Sequence, residues 1–259
     1  MREVMKIHES LSFPSHRLNV ISYNKNYFDN KKLIGWYETV SNRVFNAVEK
    51  QQFPQKKITC HIFNRDNPEQ LNIQMMFVAG AMVLQIECTG GVLIHGALAE
   101  INGKGVILAG PGGAGKSTAS KRLPPTWRSH CDDATLVVMD SEGTYRAHPW
   151  PTWSRFWCGE EGGCWNVEYS VPIKGIFYIS RSEFDYVEQI EKWKTSTLLM
   201  AAAEQVNAVS QRGLSNDEIR KIRLQRFNNI CNISTVVPGY LLKMGKDGDF
   251  WRKIEEILV

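Results

Sequence analysis

The chain has 259 residues, 43% hydrophobic and 22% charged, enough for one large core or two smaller ones, and a composition that excludes global disorder. Its net charge of +4, from 31 basic and 27 acidic residues, is too mild to imply nucleic-acid binding without a clustered basic face. The longest apolar run, Met75 to Leu84, is far shorter than the roughly 20 residues of a membrane span, and the first residues hold no apolar signal core.

Six cysteines, at 60, 88, 131, 158, 164 and 231, form no CxxC pair. They read as reduced thiols, so the expected compartment is the cytoplasm and a zinc site is not expected. In chain order, Leu18–Tyr23 reads as a strand, Lys32–Glu49 as a helix and Ile58–Phe63 as a strand. The turn-rich stretch 64–72 is the candidate boundary between an N-terminal α/β segment, 1–72, and a main domain, 73–259.

Met75–Glu87 and Gly91–Ile94 are strand-like. Ala97–Ile101 and Val106–Ala109 flank Asn102-Gly103, a strong hairpin signal. A helix is expected around 116–123, stopped by Pro124-Pro125. Ala134–Met139 reads as a strand with a turn at Asp140–Gly143, and Val171–Ile179 as another strand. Residues 183–212 and 216–231 read as helices, the second capped by Ser215 or Asn216 with Glu218 behind. The stretch 235–243 reads as an edge strand, because Pro238 lacks a donor, and Phe250–Leu258 as a terminal helix.

Gly110-Pro-Gly-Gly-Ala-Gly-Lys116-Ser117-Thr118 satisfies G-x-x-x-x-G-K-[ST], between an apolar strand and a helix. In that pattern Gly110, Gly112, Gly113, Ala114 and Gly115 let backbone N–H groups turn inward around a phosphate. Lys116 supplies a charge to the β- and γ-phosphates, the Ser117 hydroxyl a ligand to Mg²⁺, and Thr118 continues the loop into the helix. The expected ligands are ATP and Mg²⁺. Asp132 and Asp133 follow just before a strand, as phosphoryl transfer requires of a metal carboxylate and of a group that orients the acceptor hydroxyl. One of the pair could instead cap a turn. No Asn-Lys-x-Asp guanine signature is present.

Five of the eight tryptophans, Trp127, Trp150, Trp153, Trp157 and Trp165, lie between 127 and 165, interleaved with Arg146, His148 and Arg155. Those rings either fill the core or wall a site that stacks a base or grips an apolar peptide; the docking role is assigned to the segment, not to one ring. Arg155 is the candidate for stabilising charge on a transferring phosphoryl group. Arg220, Lys221, Arg223 and Arg226 read as a solvated face, with an acidic-peptide contact as the alternative.

Leu93-Ile94-His95-Gly96, the Asn102–Gly105 turn, the 110–118 loop and Asp132-Asp133, in this order, resemble the HPr kinase/phosphorylase superfamily. More narrowly, with His-Pro-Trp-Pro-Thr-Trp-Ser at 148–154, the chain resembles the HPr-kinase-related group of SynChlorMet cassettes, ScmC, gene clusters that carry radical-SAM enzymes and a short precursor peptide. The resemblance implies an α/β, HPr-kinase-like (PEP-carboxykinase-like) P-loop fold with a mixed, partly antiparallel central sheet and C-terminal helices. It implies Asp132 as general base and Asp133 at the metal, or the reverse. His95 would lie beside the phosphates, unless it is a buried structural histidine, and Glu161 is the counterpart of the family's metal-binding Glu. The Arg-Gly-Leu-Gly and Pro-Val-x-Pro-Gly-Arg segments of HPr kinases are missing, which argues against phosphorolysis and against HPr as substrate.

The expected function is an ATP- and Mg²⁺-dependent kinase acting on Ser or Thr of a small protein or ribosomal precursor peptide, such as that of a radical-SAM cassette. The alternatives are a small-molecule kinase acting on free serine or a sugar, a non-catalytic nucleotide-binding regulatory module, and simple ATP hydrolysis. No nucleic-acid or membrane partner is expected, and a homo-oligomer is compatible with the resemblance.

Overall fold

The computed structural model describes residues 17–23, 37–40, 43–48, 57–63, 76, 79–80, 82–152, 166–207, 209–211 and 214–258. Two units divide the chain: 1–89 with 207–225, and 90–206 with 226–259. The boundary expected at 64–72 lies outside the described residues.

In the first unit, β1 (Arg17–Tyr23), β2 (Tyr37–Val40), β3 (Arg43–Val48) and β4 (Lys57–Phe63) form a four-stranded sheet of order β1-β4-β3-β2. β1 pairs parallel with β4, and the other two pairings are antiparallel. Lys32–Glu49, expected as a helix, therefore holds two strands. Ser41-Asn42 separates β-branched and aromatic residues that favour a pleated backbone. The strand expected over Met75–Glu87 is instead helical over 82–88. A continuous apolar run has no period by which strand and buried helix can be told apart.

The second unit is built on an eight-stranded mixed sheet. Its strands are β5 (Val92–Ile101), β6 (Lys104–Ala109), β7 (Arg128–Cys131), β8 (Ala134–Met139), β9 (Tyr145–Pro149), β10 (Val171–Arg181), β11 (Tyr186–Ile190) and β12 (Gly239–Met244). The order is β11-β12-β10-β6-β5-β8-β9, with β7 following β8's place along β5. β6, β10 and β12 run parallel, so Ala109, Arg181 and Met244 end at one edge. β5 is antiparallel to β6 through a hairpin in which Asn102 and Gly103 take φ of 49° and 73°, the left-handed values that a two-residue turn demands. A short bridge, Val171↔Ala147 and Pro172↔Arg146, joins β10 to β9 and closes β5, β8, β9, β10 and β6 into a ring of pairings.

Apolar residues alternate between two cores, one on each face. Leu98, Ile107, Ala109, Ile176 and Tyr178 pack with Leu199, Ala202, Ile230 and Ile233 of α2 (Lys192–Val206) and α3 (Asn216–Val236). Ala97, Val106, Leu108, Phe177 and Ile179 pack with Ala119 of α1 (Lys116–Arg122) and Phe250, Ile254 and Leu258 of α4 (Phe250–Leu258). Strands covered on both faces read as unbroken apolar runs, which is how Val106–Ala109 looks in the sequence.

Three expectations are corrected here. Residues 183–212 hold the strand β11 before the helix, because Tyr186, Val187 and Ile190 fit a sheet margin and helix begins only at Lys192. α3 runs on to Val236, and β12 is interior, between β11 and β10. Pro238 stands one residue before β12, where its missing donor breaks no ladder, and its carbonyl accepts from the Ile176 N–H at 3.0 Å. The Ser215 cap is present: its N–H and hydroxyl both donate to the Glu218 carboxylate, at 2.8 and 2.7 Å. Among the described residues, no helix is long and apolar enough to cross a membrane.

Candidate active site

β6 delivers the chain at Ala109 into the glycine-rich loop, and α1 takes it up again at Lys116. Gly113 and Gly115 hold φ of 76° and 107°, left-handed values that a side chain would strain. A Cβ built on Gly112 or Gly113 would meet nothing within 4 Å, so this part of the loop borders open space. The buried Lys116 side chain curls back on the loop, and Nζ donates to the carbonyls of Gly110 at 2.8 Å and Pro111 at 3.1 Å. Burial pushes its pKa down, and the charge of Asp133 opposes that shift. Ser117 and Thr118 are exposed.

The carboxylate pair sits at a break in the sheet. β7 pairs with β5 as far as Leu98↔Cys131, and β8 takes over at His95↔Ala134. Between them Asp132 and Asp133 bend out of the ladder, held by the Thr135 hydroxyl on the Gly96 carbonyl at 2.8 Å and the Cys131 thiol on the Ala134 carbonyl at 3.0 Å. Gly96 is also paired with Ala109, the last residue before the loop. Two ladders on opposite edges of β5 thus bring the pair to the loop's end of the sheet.

His95 binds this arrangement together. Its Nε2 lies 3.2 Å from Asp133 Oδ1, and its Nδ1 lies 2.6 Å from Gln205 Oε1 of α2. The Gln205 amide nitrogen in turn donates to the Ala201 carbonyl at 3.3 Å. Asp133 is thereby tied to His95 and electrostatically coupled to Lys116. Asp132 differs: its Oδ1 is buried with no hydrogen-bond partner. Such an atom is costly unless something arrives to pair with it.

Among the described residues there is no group of three or more His, Cys, Asp or Glu side chains able to hold a metal ion. A magnesium ion of the phosphoryl-transfer kind needs only one or two carboxylates, the remaining ligands coming from phosphates and water. Asp133 and the Ser117 hydroxyl are donors of that chemistry, which leaves the orphaned Asp132 oxygen to accept from a hydroxyl. Arg155 and Glu161 lie outside the described residues, as do Trp153, Trp157 and Trp165.

Two of the clustered tryptophans are core residues. Trp127 is buried with its Nε1 donating to Glu255 Oε1 at 2.8 Å, and Trp150 is buried as well. Arg146 is spent on Ser170, Nε donating to the hydroxyl at 2.8 Å and Nη2 to the carbonyl at 2.9 Å. Arg226, read as part of a solvated face, is fully buried and paired with Glu204 at 2.8 Å. The helical repeat turned it inward while leaving Arg220, Lys221 and Arg223 exposed. Two residues with no sequence signal join the site: Gln205, behind His95, and Arg181, whose Nη2 donates to the Gly113 carbonyl at 3.1 Å.

Fold and site together define a mixed α/β protein with a strand–glycine loop–helix unit set against an Asp-Asp–His cluster. The chain belongs to the ScmC family: the model described as "SynChlorMet cassette protein ScmC" matches residues 58–259. No curated protein matches the chain.

Proposed function

We propose that this protein is a cytoplasmic, Mg²⁺-dependent kinase of HPr-kinase-like architecture. It moves the γ-phosphoryl group of ATP to a hydroxyl, that of a Ser or Thr in a small protein or precursor peptide. The observation that carries the reading is the gathering of Lys116, Asp133, His95 and the unpartnered Asp132 oxygen at the end of the glycine-rich loop. The antiparallel β5–β6 hairpin that feeds the loop supports the HPr-kinase relationship, since in ordinary P-loop kinases the loop follows the first strand of a parallel sheet and not the second strand of a hairpin.

In this mechanism Lys116 exchanges its two loop carbonyls for phosphate oxygens, a trade of neutral acceptors for charged ones. Asp132 accepts the acceptor's hydroxyl proton as the hydroxyl oxygen attacks the γ-phosphorus. The new O–P bond forms while the bond to the β–γ bridging oxygen breaks, and ADP leaves with the charge. Ser117 and Asp133 would hold Mg²⁺, which supplies charge neutralisation on the phosphates. His95, fixed by Gln205, keeps Asp133 in one orientation. Most of the rate gain comes from positioning and fixed charge.

The test is incubation of the full chain with Mg²⁺ and γ-labelled ATP, with a cassette precursor peptide or free serine, resolved by mass. One phosphate gained on a peptide Ser or Thr, and lost with Lys116→Ala, is the expected result. Gain on free serine alone would change the substrate class. Absence of nucleotide binding to the unaltered protein would overturn the reading.

A further inference from the structure

The parallel strands β6, β10 and β12 end together, and the last residue of β10 is Arg181. Its root is fixed against the loop from two sides. Ile179, two residues earlier, places its carbonyl 3.4 Å from where a Cβ on Gly110 would stand. Met244, the β12 partner of Arg181, places its terminal methyl 3.5 Å from a Cβ built on Gly115. The Arg181 side chain is exposed and reaches across the loop to the Gly113 carbonyl at 3.1 Å. Among the described residues it meets no carboxylate, and that bond occupies one of five N–H donors. The guanidinium therefore stands beside Gly112 and Gly113, where the loop borders open space.

We infer that Arg181 is a phosphate-binding residue that contacts the terminal phosphate of a bound nucleoside triphosphate, an arginine supplied in cis at the rim of the loop. This rests on the kinase reading above. The chemistry is that of exchange: a guanidinium resting on a neutral carbonyl gains a charged, bidentate partner when a phosphate enters. Lys116 rests in the same way on the carbonyls of Gly110 and Pro111, so the two cations serve different parts of one loop. During transfer, negative charge grows on the β–γ bridging oxygen as its bond to phosphorus breaks. A guanidinium beside the terminal phosphate stabilises that charge.

The discriminating measurement is the affinity of the full chain and of Arg181→Gln for ATP and for ADP, each with Mg²⁺, by calorimetry. The expected result is an ATP affinity weakened about tenfold or more in the variant, with ADP affinity changed less than about twofold. Arg181→Lys, which keeps the charge and loses the fork, should fall between the two. Equal weakening of ATP and ADP would make Arg181 a brace of the loop and overturn the inference, as would no change for either. If the unaltered protein binds ATP while the variants behave in one of those ways, only the inference fails. If it binds neither nucleotide, the kinase reading fails with it.

Discussion

The strand β5 carries a histidine–carboxylate pair at each end, and the two pairs have opposite characters. At the loop end His95 meets Asp133 at 3.2 Å, next to Lys116 and an Asp132 oxygen with no partner. At the hairpin end His130 meets Glu100 at 2.6 Å; Tyr169 donates to the same Glu100 oxygen at 2.7 Å and stacks on His130 with ring centroids 4.5 Å apart. Burial pushes the Glu100 carboxyl up, but hydrogen bonds from Tyr169 and His130, with the His130 charge and the Gly103 N–H, outweigh it and hold the group below its ordinary value. The hairpin end has satisfied itself, while the loop end keeps buried polar capacity in reserve. Reserve of that kind is what the proposed transfer would draw on, whereas a saturated pair has no capacity left to offer a ligand.

The largest difference should come from matched carboxylate-to-amide changes at the two ends. Asp132→Asn is expected to lower phosphoryl transfer by about 10²–10⁴-fold with ATP affinity kept, as for loss of a general base. Glu100→Gln should leave transfer within about twofold and instead lower the urea midpoint. Steady-state transfer rates and urea unfolding of both variants check this, and near-normal transfer by Asp132→Asn would remove Asp132 from the chemistry.

A third histidine sharpens the contrast, because among the described residues no carboxylate pairs with it. Burial pushes His148 down to about 4, helped by the charge of Arg146 and opposed by a Val167 backbone hydrogen bond; its Nδ1 has no partner. An unfolded chain takes up a proton near pH 6.5 that the folded chain refuses until about pH 4. Stability should therefore be level above pH 6.5 and fall between pH 6.5 and 4, by up to about 3 kcal/mol from this group. Urea unfolding across that range, compared with His148→Gln, isolates the contribution; identical slopes for both proteins would show that His148 is not held neutral.

The smallest effect belongs to Tyr169→Phe, which removes one donor from Glu100. A loss of about 1 kcal/mol in unfolding free energy is expected, with no change in transfer. A change in rate with no change in stability would mean that the two ends of β5 are coupled.

How much of this was legible in the sequence follows from how local each signal is. The β5–β6 hairpin, the loop, α1 and the Asp132-Asp133 bend each rest on neighbouring residues, Asn102-Gly103 above all, and the structure has them where the sequence places them. The 82–88 helix and the interior position of β12 were not legible, because an unbroken apolar run and a single proline leave the period and the neighbours open. Gln205 and Arg181 reach the site only through the packing of α2 and the parallel ladder of β10 on β6, which no spacing in the chain announces. Arg226 shows the same limit from the other side, a charge in a basic run that the helix buries against Glu204.

The two-pair bridge between β9 and β10 has a consequence for how freely this chain can vary in length. β5–β6 and β8–β9 close over short turns, whereas the bridge is made only after the chain has travelled from Pro149 to Val171, and the Arg146–Ser170 hydrogen bonds pin it there. With two ladder pairs the bridge is the shortest joint of the ring, so a change in chain length between Pro149 and Val171 would load it first. The glycine-rich loop hangs from β6, between the long ladders of β5 and β10, and is insulated from that variation.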